Sequence, residues 1–260
     1  MSPARRRLLA ALAALLAVVV LAVAGLALAG REEEPERVAA DVAQDRPGTV
    51  VLVPGYGGAT GALERLAERL RAAGREAVVV ALPGDGTGDL QAYVPVVDAA
   101  VQGALRAGAP SVDLVGYSAG GVVTRLWADQ GGAAQARRVV TLGSPHHGTA
   151  LAAAGAALAP ERCPEACRQL VPGSALLDGL NAEDETPEGP QWLSVWTTAD
   201  ETVTPPETAR LDGAVNLALQ DLCPGATTSH GRLPVDPPVQ GVVLAALDGP
   251  ALALPASCPG

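Results

Sequence analysis

The sequence contains no lysine, and its 18 basic residues are all arginines, set against 28 acidic residues for a formal net charge of −10. Binding to a nucleic acid needs a concentrated basic surface that neutralises phosphates. Outside the N-terminus, the chain has no basic cluster of that kind. Its composition therefore argues against a nucleic-acid partner. Phenylalanine is also absent, which is typical of a GC-rich codon bias and excludes no function.

Cysteine is scarce. The four cysteines all lie beyond residue 160, and none has the C-x-x-C spacing of a zinc knuckle. This disfavours a zinc site and leaves disulfides, which form in oxidising compartments. Four cysteines allow three pairings. We favour Cys163 with Cys167 and Cys223 with Cys258, because each pair then closes a local unit.

Charge is absent from residues 8–29, which follow the three arginines at residues 5–7. A basic start, an apolar run and the small residues Ala27 and Ala29 before a cleavage point are typical of a signal peptide. The run of 22 residues is also long enough to span a bilayer, so an uncleaved anchor over residues 1–29 remains the alternative. In either case the arginines stay inside, which predicts that everything after residue 30 is extracytoplasmic.

The rest of the chain divides into a polar linker over residues 30–48 and one domain over residues 49–260. The linker is charged and proline-bearing, without apolar periodicity. From residue 49, apolar strands alternate with helices, and the strands are apolar throughout rather than at every second residue. This pattern predicts an α/β fold in which helices cover both faces of a doubly wound, mostly parallel sheet. Residues 144–190 are irregular and predict loops and short helices, hence a small lid or none.

The strands and helices of that sheet are predicted from apolar runs and helical spacing. Strands are expected at residues 49–54, 77–82, 112–115, 138–142, 192–197 and 215–219. Helices are expected at residues 62–72, 90–107, 122–129 and 239–247.

The segment Gly116–Gly120 reads Gly-Tyr-Ser-Ala-Gly and directly follows the apolar run Val112–Val115. In a G-x-S-x-G nucleophile elbow, a strand ends in a turn so sharp that glycines flank it, and the serine hydroxyl is exposed above the sheet. Helical spacing in Gly121–Ala128 completes the strand-turn-helix context that the motif requires. Ser118 is therefore the predicted nucleophile.

A serine hydroxyl needs a base to take its proton, and the base needs a carboxylate to orient it. The chain has three histidines. On a doubly wound sheet the nucleophile comes first, the acid next and the histidine last. His146 and His147 follow the strand at residues 138–142, whereas His230 follows the last predicted strand. Only His230 satisfies the order and is the predicted base.

The acid is expected at the end of a strand between the nucleophile and the base. Asp200 directly follows the fifth predicted strand and is the best-placed carboxylate. Glu201 is its nearest competitor, and Asp212 or Asp221 would require a different path of the chain. We therefore predict Asp200 as the acid.

Backbone N–H groups stabilise the negative charge that forms on a carbonyl oxygen during acyl transfer. One such group follows the nucleophile, at Ala119, and the other lies in the loop after an early strand. That loop is the glycine-rich segment Val53–Gly58, in which we predict the N–H of Tyr56. Such a loop could also bind phosphate, but neither Gly-Lys-Ser/Thr nor the G-x-G-x-x-G spacing is present.

These segments together resemble the bacterial secreted lipases and esterases of the α/β-hydrolase superfamily, in particular the triacylglycerol lipase group. The resemblance spans residues 49–245 and rests on the segments Val53–Gly58, Leu82–Gly86, Gly116–Gly121 and Thr141–Thr149, and on Ala199-Asp200 through His230-Gly231. It implies an α/β-hydrolase fold, a triad of Ser118, Asp200 and His230, and a carboxylic ester as substrate. Pro54-Gly55 departs from the His-Gly pair common in these lipases. Because the donor is a main-chain N–H, this change need not abolish function.

The sequence thus predicts an extracytoplasmic serine esterase or lipase, monomeric, with an acyl-Ser118 intermediate and no metal or organic cofactor. Its partner is a small-molecule or lipid ester, and a membrane contact is expected only through the N-terminal segment. Acyl transfer or amide cleavage by the same residues remains the alternative within enzymes. A catalytically silent, surface-binding homologue is the alternative outside them. His146 and His147 lie near the site in the family and are expected to shape it rather than to join the triad.

Overall fold

The computed structural model of the chain describes residues 42–259, together with Pro3 and Arg5. Apart from these two positions, the predicted signal peptide or anchor at residues 1–29 lies outside the described residues, as do residues 30–41 of the predicted linker. Within the described part of the chain, no helix has both the length and the hydropathy of a membrane span.

Six strands form one sheet: β1 (Thr49–Val53), β2 (Ala77–Val79), β3 (Val112–Tyr117), β4 (Arg138–Leu142), β5 (Gln191–Trp196) and β6 (Val215–Ala218). All neighbours are parallel, in the order β2-β1-β3-β4-β5-β6. The order reverses at β1, which pairs with β2 on one side and β3 on the other. The loops after β1 and β3 therefore meet at the carboxyl edge of the sheet, where such folds bind ligands. The predicted doubly wound parallel sheet is confirmed.

The helices are α1 (Gly61–Ala72), α2 (Val94–Arg106), α3 (Ala119–Trp127), α4 (Ala150–Leu158), α5 (Glu165–Gln169), α6 (Ala175–Leu180), α7 (Leu219–Leu222) and α8 (Pro237–Leu247). The helix predicted over residues 90–107 divides, since Gln91–Tyr93 forms a 3-10 turn before α2. Pro95 in the first turn of α2 favours this start, because the missing N–H is not needed there.

The predicted strand at residues 77–82 is shorter in the structure. Strand β2 ends at Val79, and the last backbone bond to β1 runs from the Val80 N–H to the Leu52 carbonyl, at 3.0 Å. The chain then turns away from the edge of the sheet at Pro83, which has no N–H to donate.

Side chains alternate between the two faces of the sheet, as the strand period of two requires. Val51 and Leu114 pack with α2 and α3 on one face, and Leu52 and Val115 pack with α1 and α8 on the other. All four side chains are fully buried. Both faces are covered by helices, which explains why the strands are apolar throughout.

Three short helices, α4 to α6, form a small cap within residues 144–190. Thr149 begins it: its hydroxyl oxygen accepts the N–H of Leu151 at 3.3 Å and so caps α4. The same oxygen accepts the N–H of Thr204 at 3.1 Å and donates to the Thr202 carbonyl at 2.7 Å. One hydroxyl therefore ties the start of the cap to the loop after β5.

Both favoured disulfides are present, Cys163–Cys167 and Cys223–Cys258, and the described residues include no free cysteine. Cys163 precedes α5 and Cys167 lies within it, so this bond is part of the cap. The other bond ties the end of α7 to the C-terminal segment. Two disulfides are typical of proteins from oxidising compartments.

Candidate active site

Ser118 lies at the tip of a sharp turn between β3 and α3. Its φ is +53° and its ψ is −128°. In the described part of the chain, all other residues with a positive φ are glycines. Such backbone strain persists only where the surroundings enforce it. A Cβ on Gly120 would lie 2.3 Å from the Val53 carbonyl oxygen, so the turn can pack against β1 only with glycine there. The strand, turn and helix required by the predicted elbow are all present.

The structure brings the three predicted triad residues together. Nε2 of His230 lies 3.0 Å from Oγ of Ser118, and Nδ1 of His230 lies 2.7 Å from Oδ2 of Asp200. All three residues are buried. An ionised carboxylate can only accept, so Nδ1 carries the ring proton and Nε2 presents its lone pair to the serine hydroxyl. This tautomer is the one that can take a proton from Ser118.

The Asp200 carboxylate is fixed from its other side by backbone donors. Its Oδ1 accepts the N–H of Thr202 at 2.9 Å and that of Val203 at 2.8 Å. With both oxygens occupied, the carboxylate holds one orientation toward the imidazole. These two donors belong to the loop that Thr149 ties to the cap.

The competing acids stand apart from this arrangement. Glu201, Asp212 and Asp221 are exposed, whereas His230 and its carboxylate partner are buried. Within residues 42–259, no group of three or more His, Cys, Asp or Glu side chains could hold a metal ion.

Tyr117 supports the imidazole, a role the sequence reasoning missed. Its ring lies 5.3 Å from the His230 ring, centroid to centroid, and its hydroxyl donates to the His230 carbonyl at 3.2 Å. Burial, with a further contribution from the Asp200 charge, raises the pKa of Tyr117 to about 12. The phenol therefore stays protonated and remains a donor. Its position next to Ser118 in the sequence indicates that Tyr117 lies near the site, but not that it contacts the imidazole.

The loop after β1 approaches Ser118 closely. A Cβ on Gly55 would lie 2.8 Å from Cβ of Ser118. Tyr56, the next residue, borders the same cavity as Ser118. The predicted oxyanion loop therefore lies beside the hydroxyl that would attack.

Backbone hydrogen bonds leave few free donors in this loop. The N–H of Gly57 donates to the Gly86 carbonyl at 3.1 Å, and that of Gly58 donates to the Gly55 carbonyl at 3.0 Å. In the described part of the chain, the N–H of Tyr56 has no acceptor. The N–H of Ala119 is the first of α3, where a helix has no internal acceptor for it. The two predicted donors are thus available to a ligand.

The other two histidines have different surroundings. His146 is fully buried, and its Nε2 lies 3.1 Å from Oγ1 of Thr141. Burial lowers the pKa of His146 well below its ordinary value, and the charge of Arg125 acts in the same direction. His147 is exposed at the surface, with its Nε2 2.7 Å from Oε1 of Glu185. The partners of both rings are residues other than Ser118.

A cavity of about 290 Å³ opens beside Ser118. Its lining is mostly apolar and comes from the cap and the loop after β5, including Pro145, Leu151, Ala152, Leu170 and Val203. Such a mostly apolar cavity is typical of sites that bind small molecules. A second cavity of about 400 Å³, near Asp89, contains none of the triad residues.

Comparison with known proteins agrees with this architecture. The structure resembles lipase B of Aspergillus fumigatus with a TM-score of 0.66 at 20% identity, covering 82% of this chain and 56% of that one. It resembles the mature lipase BlEst2 of Bacillus licheniformis with a TM-score of 0.57 at 21% identity, covering 66% of this chain and 82% of that one. It resembles the metagenomic carboxyl esterase MGS0156 with a TM-score of 0.50 at 18% identity, covering 73% of this chain and 66% of that one. At these identities the likeness shows the fold alone.

The chain thus spans little more than half the length of the Aspergillus lipase. No curated protein sequence is significantly similar to it. Residues 50–256, which include the sheet, the cap and the site, match the α/β hydrolase family. The predicted α/β-hydrolase fold is therefore confirmed, and the chain belongs to the α/β hydrolase family.

Proposed function

We propose that this protein is a serine hydrolase that cleaves carboxylic esters through an acyl-Ser118 intermediate. The observation that carries the proposal is the continuous hydrogen-bonded chain from Ser118 to His230 to Asp200, with distances of 3.0 and 2.7 Å. A base oriented in this way makes a serine hydroxyl a good nucleophile.

The reaction follows from these positions. Oγ of Ser118 attacks the ester carbonyl carbon while Nε2 of His230 takes its proton, and the N–H groups of Tyr56 and Ala119 hold the oxyanion. The tetrahedral intermediate collapses, and the imidazolium returns the proton to the departing alkoxide. Water then attacks the acyl-serine with the same base, and the acid leaves as Ser118 is regenerated.

An ester with an apolar acyl group fits the site. The cavity beside Ser118 is bordered by aliphatic side chains, and burial of hydrocarbon there is favourable. Two of the solved structures that share the fold are described as lipases and one as a carboxyl esterase. Those activities are consistent with ester hydrolysis in this chain.

The proposal includes a location and a domain organisation. Residues 1–29 serve as a signal peptide or anchor, residues 30–48 as a linker, and residues 49–260 as a monomeric catalytic domain outside the cytoplasm. The disulfides Cys163–Cys167 and Cys223–Cys258 are consistent with this location. No nucleic acid, metal or organic cofactor takes part.

Turnover of p-nitrophenyl esters by the purified domain tests the proposal. We expect Ser118→Ala to lower kcat by about 10⁴-fold, because the residual rate comes from binding and the oxyanion site alone. The matched control is Ser144→Ala, which removes another buried hydroxyl close to α3. This hydroxyl has no hydrogen-bond partner among the described residues. We expect this control to keep its activity. Equal rates for wild type and Ser118→Ala would overturn the proposal.

The alternatives from the sequence give different results. Acyl transfer would appear as ester product when an alcohol competes with water, and amide cleavage as turnover of an anilide. A silent homologue would react with neither the esters nor a fluorophosphonate, because its serine would lack an activating base.

A further inference from the structure

Two cap helices, α4 and α5, border the cavity beside Ser118. Leu151, Ala152 and Gly155 border it from α4, and Cys167 borders it from α5. Gly155 lies on the same side of the helix as Leu151 and Ala152, because it follows them by four and three residues. The face of α4 toward the cavity thus ends in glycine, the smallest residue.

The distance between the two helices at this point is short. A Cβ on Gly155 would lie 3.4 Å from Sγ of Cys167, which is ordinary van der Waals contact. Sγ of Cys167 also lies 4.0 Å from the Ala152 carbonyl oxygen. Gly155, which has no side chain, and the half-cystine Cys167 are therefore neighbours in the lining of the cavity.

Several contacts hold α5 in this position. The disulfide links Cys167 to Cys163, which is buried. The N–H of Ala166 donates to the Thr87 carbonyl at 3.1 Å, and the side chain of Gln169 accepts the N–H of Leu90 at 2.8 Å. The disulfide is the covalent part of this support, and it is the part whose sulfur reaches the cavity.

We propose that Gly155 and the Cys163–Cys167 disulfide determine the acyl chain length that the enzyme accepts, and that the substrate class is esters of medium-chain acids. The inference rests on the proposed function and names the substrate of that same site. A cavity of about 290 Å³ lies at the lower end of the range of ligand pockets, about 300–1,000 Å³. A medium-length acyl chain is matched to a pocket of that size, and a long-chain fatty acyl group extends beyond it.

The first experiment narrows the cavity. Gly155→Leu fills the space opposite Cys167, and leucine is a better helix former than glycine, so the fold tolerates it. The ratio of kcat/KM for the octanoyl ester to that for the butanoyl ester should fall by about tenfold or more, since a single methylene contributes that much. The control is Ala154→Leu, which places the same side chain on the exposed side of α4. It should leave the ratio unchanged.

The second experiment widens the cavity. The double variant Cys163→Ala/Cys167→Ala removes the sulfur that lines the cavity together with the covalent link that holds α5. We expect the ratio of dodecanoyl to octanoyl turnover to rise several-fold, in the opposite sense to Gly155→Leu. The matched control, Cys223→Ala/Cys258→Ala, removes a disulfide of the C-terminal segment and should lower stability without changing the ratio.

The outcomes separate the two proposals. A wild-type protein that turns over no ester overturns the proposed function, and the assignment of the cavity with it. If the wild type hydrolyses esters but both cavity variants leave the chain-length ratios unchanged, only the assignment of Gly155 and the disulfide is overturned. Each ratio compares two esters with the same protein preparation, so it does not depend on the fraction of active enzyme. Partial misfolding of a variant therefore leaves the chain-length ratio unchanged.

Discussion

Gly143 lies directly beside His230. A Cβ on Gly143 would lie 2.5 Å from Cδ1 of Leu233, 3.2 Å from Nδ1 of His230 and 3.3 Å from Oδ2 of Asp200, closer than side chains normally approach. Gly143 follows β4, the neighbour of β3, the strand that precedes Ser118. His230 and Asp200 therefore occupy space that a side chain at position 143 would need.

We expect Gly143→Ala to lower kcat by about 100-fold, because a methyl group there displaces the imidazole from Ser118 by a fraction of an ångström to an ångström. Gly143 has a φ of +57°, so alanine also strains the backbone. Gly173→Ala is the matched control, since Gly173 has a φ of +74° and a Cβ added there would have nothing within 4 Å. Comparable losses of kcat in both variants would show that backbone strain, not displacement of His230, causes the effect.

Replacing Asp200 by Asn should lower kcat by about 10⁴-fold, since the amide favours the wrong imidazole tautomer. Glu201→Gln removes the adjacent, exposed carboxylate and should retain wild-type kcat. Steady-state kinetics with one p-nitrophenyl ester measure both. If only Glu201→Gln lost activity, Glu201 would be the acid, and the assignment of Asp200 would be wrong.

A buried charge cluster at the opposite end of the strands should be important for stability. The carboxylate of Asp113 accepts hydrogen bonds from two arginines. Nε and Nη2 of Arg137 donate to it at 2.9 and 2.7 Å, and Nη2 of Arg75 donates to it at 2.6 Å. Both guanidinium groups also donate to the carbonyl of Leu247, the last residue of α8. Asp113→Asn leaves these charges without a counterion and should destabilise the fold by about 3–5 kcal/mol.

Urea denaturation measures this loss. The control is Glu64→Gln, which breaks the exposed contact between Glu64 and Arg71 and should cost at most about 1 kcal/mol. A similar shift in both variants would contradict the structural role of the Asp113 cluster.

The buried His146 should make stability depend on pH. Burial lowers its pKa in the folded protein well below the ordinary value, so the unfolded chain binds more protons as pH falls below about 6.5. Stability is therefore fully present above that pH and is lost on acidification. At pH 5.5 this single group should cost on the order of 1 kcal/mol relative to pH 7.5.

The comparison with His146→Gln isolates this effect. Between pH 7.5 and 5.5, the free energy of unfolding should fall less in the variant than in the wild type, by on the order of 1 kcal/mol. Between pH 7.5 and 8.5 the two proteins should change in parallel. An equal fall in both proteins at acid pH would show that His146 does not titrate on unfolding.

Much of the fold and of the candidate site could be predicted from the sequence, because chain order becomes position in a parallel sheet. Every strand ends at the same edge, so residues that follow separate strands, such as Ser118, Asp200 and the loop around Tyr56, are expected to be neighbours. The apolar strands between them were long enough to be recognised from composition alone.

Other features depend on distances that no local pattern encodes. Gly143 and Tyr117 contact the imidazole because β3 and β4 pair in a particular register. The width of the cavity depends on how α4 meets α5, and α4 contains only Ala, Leu and Gly. Such a sequence predicts a helix but not its neighbour, and contacts such as those of Thr149 decide where it lies.

The most direct test of the account is the mass of the intact protein after reaction with a fluorophosphonate. The wild type should gain one phosphonyl group, located on Ser118 by peptide mapping, and lose its esterase activity in proportion. Ser118→Ala should gain none, and Asp200→Asn should react far more slowly. An unlabelled wild type, or a label on any other residue with activity lost in step, would contradict the assignment of Ser118 as the nucleophile.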